Sequence, residues 1–575
     1  MLKPLPPRPN LQQFRKQAKE LVKAHRRGNP EAISRLQAFL PRLQGASEAA
    51  VRAADVPLHE AQWAIAREHG FGSWPRFKRY LESRPSPPSA PEARPERFFD
   101  VAAMSRSELA YYEGRVASLL RGHQEQDPDA ISQLKWHLPG YRQRPTLEII
   151  NAEITEQDAR WVIAQCYQFE DWEDLTTSLE TARDEGRLHP LFDAAVDAVV
   201  SGNEAALRAL LDEDPSLAKA RCWHPHHGNL LHYVAANGVE MELQKTPPNA
   251  VEIARLLLAA GVDPNDECDI YGGGSGSTPL VGLVSSAHPA EAGLMEELVR
   301  AFCEGGALPD GVEGTGHPLA TALAFYYPQA VRALVACGAR VDNLLFAAAA
   351  GRLDLVEAYV DDAGRMRPDA PGLEVQWCRL SDDPRVAAEQ ALAAAALCGQ
   401  TEVAGWLIDR GVDLDAGPRS GETPLHYAAW ANQRQMAELL LARGANPNLP
   451  DGRFHAAAWG WAGHHGHAEL RDFILETASE THLFAAVAAG RLERVEALLR
   501  AHPEQVNEWT FWTTPLDLAA GQGRVDLIQA LLAAGANPNL PARDDGRTPL
   551  ARALLKGHAE AAEVLRSAGA PEETS

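Results

Sequence analysis

The sequence is poor in the groups that close small extracellular folds. It has seven cysteines in 575 residues (Cys166, Cys222, Cys268, Cys303, Cys337, Cys378 and Cys398), an odd number without a close pair. That spacing argues against a disulfide framework or a structural zinc site, and for a reducing compartment. Aromatic residues make up only 7% of the chain. No run of about 18 apolar residues is free of charge, so no membrane span is expected. The Pro-rich start, Met1 to Asn10, lacks the apolar core of a secretory signal. Positive charge is also short: 55 Lys+Arg against 78 Asp+Glu give −23. An acidic surface repels phosphate, which disfavours whole-chain nucleic-acid binding.

The deficit is uneven. Residues 1–100 carry 18 basic and 10 acidic side chains, or +8. Residues 101–188 carry 9 and 16, or −7, which leaves −24 for residues 189–575. The length exceeds what one hydrophobic core can organise, so the chain is either several domains or a repeat array.

Two repeats are present. At an offset of 98, His25, Pro30, Ile33, Leu36, Leu40 and Pro41 recur as His123, Pro128, Ile131, Leu134, Leu138 and Pro139. Ala61, Ile65, Phe71 and Trp74 recur as Ala159, Ile163, Phe169 and Trp172. Each copy reads as three or four helices, with Gly28 ending the first and Pro30 in the first turn of the second. The copies are placed at 1–83 and 98–183, joined by a proline-rich spacer at 84–97.

The second repeat occupies 189–572. Its clearest unit is Thr423-Pro424-Leu425-His426-Tyr427-Ala428-Ala429, then Met436 to Arg443, then Gly444-Ala445-Asn446-Pro447-Asn448. Thr514-Pro515-Leu516 and Thr548-Pro549-Leu550 open further units. Anchor leucines fall at 191, 231, 280, 319, 344, 392, 425, 483, 516 and 550, with a position near Ala456 for the irregular unit. Thr caps a first helix, Pro fits its first turn, and small Ala pairs let inner helices approach. The apolar runs face the core and Gly ends the outer helix. About eleven units result, with insertions near 239–248 and 361–383.

These motifs resemble the ankyrin repeat, whose hallmark is Thr-Pro-Leu-His-x-Ala. Leu230 to Glu240 with Tyr271-Gly272-Gly273-Gly274, and Gln62 to Trp74, are similar to a bacterial ankyrin-repeat domain-containing protein family with a helical module before the array. The resemblance implies an all-α fold, an ankyrin solenoid preceded by two helical modules, and a scaffold role without a reaction.

Candidate chemistry is sparse. His224, His226, His227 and His232 cluster, as do His464, His465 and His467, but zinc needs about four converging donors. The first cluster is expected on a finger with outward side chains, and no metal is assigned. Gly272 to Ser277 lacks the Gly-Lys-Ser/Thr ending of a phosphate loop. No nucleophile motif occurs, so neither an enzyme activity nor a cofactor is expected. The basic helix bearing Arg15, Lys16, Lys19, Lys23, Arg26 and Arg27 reads as a solvated face, with nucleic-acid contact as the alternative. The best signal is aromatic: Trp430, Trp459, Trp461, Trp509, Phe511 and Trp512 at expected groove or finger positions, and Trp223 and Tyr271 on earlier fingers. Each could anchor a protein partner or pack internally. The resulting expectation is a cytoplasmic, monomeric, non-catalytic scaffold that binds a protein or peptide on its concave face.

Overall fold

The computed structural model describes residues 11–43, 46–54, 56–69, 74, 77, 105–142, 144, 146–269, 277–376, 378–418, 420–510, 513–543 and 546–570. The spacer 84–97, Tyr271, Phe511 and Trp512 lie outside them. The chain forms two compact units. The first comprises Met1–Asp193 with Arg221–His227, the second Ala194–Ala220 with Gly228–Ser575.

Helices in the first unit start at the offset the sequence shows. Leu11–Arg26, Pro30–Phe39, Glu48–Ala53 and Leu58–Glu68 are followed by Leu109–Gln124, Pro128–His137, Thr146–Ile150 and Glu156–Cys166. A further helix, Trp172–Asp184, is capped by Asp171. The same polar bonds recur. Asn29 Oδ1 accepts the Ala32 N–H at 3.0 Å, and Asp127 Oδ1 accepts that of Ala130 at 2.9 Å. His25 Nε2 bonds the Val51 carbonyl at 2.7 Å, and His123 Nε2 that of Ile149 at 2.8 Å. Phe14, Leu36 and Ile65 are fully buried, as are their counterparts Tyr112, Leu134 and Ile163.

The second unit is a stack of antiparallel helix pairs. In the clearest pair, Pro424–Trp430 is the inner helix and Arg434–Ala442 the outer. The Thr423 N–H donates to His426 Nδ1 at 3.1 Å, so the imidazole proton sits on Nε2, which donates to the Ala456 carbonyl at 2.9 Å. Ala428 and Ala429 are buried where Pro384–Cys398, Pro424–Trp430 and Ala458–His464 lie side by side. Met436, Ala437 and Leu440 bury the inner face of the outer helix. Gly444 then takes φ +94°, where a side chain would be strained, and Ala445 N–H returns to Leu440 O at 3.0 Å.

Two expectations about this stack need correction. Leu191 is only half-buried, and the neighbouring Phe192 goes inside instead. In the irregular unit the anchor is not near Ala456. Ala457 has the cap dihedrals of Thr423 (φ −80°, ψ 164° against φ −79°, ψ 164°), so Trp459 stands where Leu425 stands. The insertion near 361–383 contains an antiparallel hairpin, Glu374–Val375 with Cys378–Arg379, lying against the helix His317–Ala324. It buries Leu373, Cys378 and Leu380.

The stacking makes stability local. Replacing the fully buried Leu440 by alanine should cost about 2–5 kcal/mol. Hydrogen exchange should show lost protection in its own pair and adjoining pairs, fading along the array. Uniform loss over all pairs would contradict that picture.

Candidate functional site

The aromatic residues divide by what their neighbours require. Trp459, in the leucine place, is 8% exposed and stacks on Phe484 at 6.1 Å and 28°. Trp461 takes the place of Tyr427, is 4% exposed, and donates its indole N–H to Asp451 Oδ2 at 3.0 Å. Trp223 is also buried, and it belongs to the first unit rather than to an array finger. It packs edge-on to Tyr112 at 6.0 Å and tilted to Phe169 at 5.5 Å. All three are therefore core residues, not exposed anchors.

Trp430 is half-buried. Its ring meets Tyr326 at 5.2 Å, Trp461 at 5.5 Å and His465 at 3.8 Å. Its indole N–H donates to the Tyr326 carbonyl at 3.1 Å, across 104 residues. Tyr326 reaches this position in a left-handed conformation, φ +65°, directly after its helix. Tyr427 completes the cluster at 5.4 Å from Tyr326. This cluster is thus built from side chains of the array itself. Trp509 is half-buried on its finger, with the Arg543 guanidinium 4.2 Å over its ring.

The residues missed from sequence are Asp451 and Phe454. Asp451 is almost wholly buried and accepts the N–H groups of Arg453 at 2.7 Å, Phe454 at 2.5 Å and Ala456 at 3.0 Å, besides the Trp461 indole. Burial pushes its pKa up, but those donors outweigh it and hold the carboxyl below the usual range. The finger wound around this carboxylate presents Phe454, which is 46% exposed. An Asp opening a finger, with a Trp ten residues on, was the available signal.

The histidines are placed as follows. His232 and His426 are buried and bonded to backbone, and His467 Nε2 meets the Trp430 carbonyl at 3.0 Å. His224 and His226, expected to point outwards, are each 1% exposed. Their loop is closed by a turn, His227 N–H to His224 O at 2.9 Å, which folds the rings inward. On the basic helix, Lys16, Lys19, Lys23, Arg26 and Arg27 are exposed.

The family profile of ankyrin repeats (3 copies) matches residues 344–451 and 461–573. Cyclin-dependent kinase 4 inhibitor B of Rattus norvegicus is 32% identical over 143 residues, 25% of this chain and 91% of that protein. Neurogenic locus notch homolog protein 4 of Homo sapiens is 38% identical over 119 residues, 20% of this chain and 5% of its own length. The ankyrin repeat and KH domain-containing protein mask-1 of Caenorhabditis elegans is 27% identical over 261 residues, 44% of this chain and 8% of its own length. The chain thus spans under a tenth of the latter two relatives. The chain belongs to the ankyrin-repeat proteins, and its array is an all-α ankyrin solenoid. Among the described residues no helix is long and apolar enough to cross a membrane.

His465 gives a pH test. Burial, then the neighbouring His464 and His467, lower its pKa from 6.5 to about 4. As pH falls, the unfolded chain takes up this proton before the folded one does. The stabilisation from neutral His465 is therefore complete above about 6.5 and drains away as pH falls towards about 4. The Tm of the chain should drop through that window, and H465Q should drop less. Equal slopes in the two proteins would remove His465 from the account.

Proposed function

We propose that this protein is a non-catalytic interaction scaffold whose ankyrin array binds a protein or peptide through its fingers. One observation carries the reading: Asp451 is buried and given four N–H donors, and the finger so fixed holds an aromatic ring, Phe454, out to solvent. A preorganised exposed aromatic is what a binding hot spot requires, since little ordering remains to be done on association. The half-buried Trp509 under Arg543 is a second anchor of the same type. Residues 189–575 carry a net −24, which suits a basic partner surface with apolar side chains.

Trp430, Trp459 and Trp461 are not among these anchors, because their indoles pack within the array. The relatives bear on the class of function. The rat relative is named as a cyclin-dependent kinase inhibitor, which fits a role exerted on another protein. Its partner is not transferred to this chain. The reading also takes the chain as monomeric and cytoplasmic. It further takes the chain as a bacterial ankyrin-repeat protein in which two copies of a helical module, at 1–83 and 98–183, precede the array. The recurrence of helix starts and histidine bonds at one offset supports that last point.

The test is quantitative affinity capture from the native cell with the wild-type chain and an F454A/W509A double variant. Proteins bound through the fingers should be depleted at least roughly tenfold by the double variant, as loss of two anchors implies. Thermal unfolding close to wild type would exclude collapse of the array. An unchanged captured set would sink the finger assignment.

A further inference from the structure

The segment Cys222-Trp223-His224-Pro225-His226-His227 lies outside the function above, and three of its side chains point to one place. Cys222 Sγ and one ring nitrogen each of His224 and His226 lie within 4.8 Å of one another. All three residues are buried. We propose that Cys222, His224 and His226 form a binding site for a borderline divalent transition metal, Zn²⁺ above all, with Tyr112 as the residue that positions His224.

The donor chemistry fits. One thiolate and two imidazoles are the ligand types that Zn²⁺ selects, and tetrahedral bonds of about 2.0–2.3 Å bring such donors close together around the ion. These three ligands leave the fourth position of a tetrahedron for a further donor or a water. Binding would displace the Cys222 thiol proton to solvent, because the thiolate is the ligand.

Local structure prepares the donors. Pro225 stands second in the tight turn closed by His227 N–H to His224 O, and its fixed φ limits the freedom of the two flanking histidines. The His224 backbone N–H approaches Cys222 Sγ at 3.4 Å, a contact that favours negative charge on sulfur. His227 Nδ1 lies 3.3 Å from the Cys222 carbonyl and ties the two ends of the loop.

The tautomer of His224 follows from proton counting. Tyr112 has a single hydroxyl proton, and the Arg106 carbonyl at 2.7 Å can only accept it. The His224 Nε2 at 2.6 Å from the same oxygen must then be the donor. A neutral imidazole carrying its proton on Nε2 has its lone pair on Nδ1. This is the arrangement in which an outer hydrogen bond orients a ligating histidine. A core histidine held only by ring packing would require neither the cysteine two residues before it nor a fixed tautomer. The sequence signal was Cys-x-His-x-His, which is missed when the histidines are weighed apart from Cys222.

The experiment uses the full chain, stripped with chelator and titrated with Co²⁺. The expected result is a sulfur-to-cobalt charge-transfer band and the visible d–d bands of four-coordinate cobalt, saturating near one equivalent and abolished by Zn²⁺. C222S should lose the charge-transfer band while keeping its helical circular dichroism, which separates Cys222 from the six other cysteines. Y112F should keep the band but bind cobalt roughly 10–100-fold more weakly, the usual effect of losing an outer partner. Zn²⁺ should also raise the Tm of the wild-type chain and not that of C222S. Absence of the band in the wild-type chain, or its persistence in C222S, would overturn the site. Unchanged affinity in Y112F would overturn the positioning role of Tyr112.

Discussion

The array depends on a bond that several repeats make for their neighbours. The inner helix of every pair ends with carbonyls that have no partner within the helix. At six places the residue just before the next outer helix supplies a donor. Gln400 meets Ala349 O at 3.1 Å, Gln433 meets Leu397 O at 3.2 Å, and His467 meets Trp430 O at 3.0 Å. Arg524 meets Gly490 O at 3.2 Å, His558 meets Gly521 O at 3.1 Å, and Asn249 meets Gly202 O at 2.9 Å. In four of these bonds the acceptor is an inner-helix carbonyl; for Arg524 and Asn249 it is the left-handed glycine just beyond that helix. Because a lost partner for a buried carbonyl costs about 1–3 kcal/mol, no repeat is complete alone. Length in this protein is a consequence of that incompleteness.

The same dependence explains which side chains are free for function. A buried tryptophan usually finds a partner for its indole N–H. Trp430 finds it in the Tyr326 carbonyl and Trp461 in the Asp451 carboxylate. Both indoles thereby become part of the array's own packing, together with Tyr326 and Tyr427. Phenylalanine has no such requirement. Phe454 can stand exposed on its finger without leaving a polar atom behind, and the polar work of that finger is done beneath it by Asp451.

Much of this was legible in the sequence, because the signals were local. Thr-Pro-Leu caps, alanine pairs and the glycines that end outer helices follow from backbone chemistry within a few residues. The 98-residue offset likewise located helix starts in the first unit, from Leu11 and Leu109 onward. What failed was non-local or depended on register. Trp459 stays undecided in the sequence because its unit lacks the Thr-Pro marker, so an exposed place and a core place differ only by alignment to Leu425. Trp223 and His224 were misread because their partner, Tyr112, is more than a hundred residues away. Nothing in the local pattern says that a finger-like segment belongs to another unit.

That displaced segment shows how a repeat protein can carry sites its repeats do not specify. Consensus positions are held by the stack, which needs a leucine, a cap or a donor there. Residues 221–227 are assigned to the first unit, so the array's register does not dictate them. They can therefore hold an unusual set, a thiol and two imidazoles around a proline, without costing any repeat its capping bond. The Asp451 finger is the milder case. It stays within the array, yet its carboxylate is satisfied by its own loop and by Trp461 rather than by the capping bond between repeats. In both places, chemistry collects where the stacking rule makes no demand on the side chain.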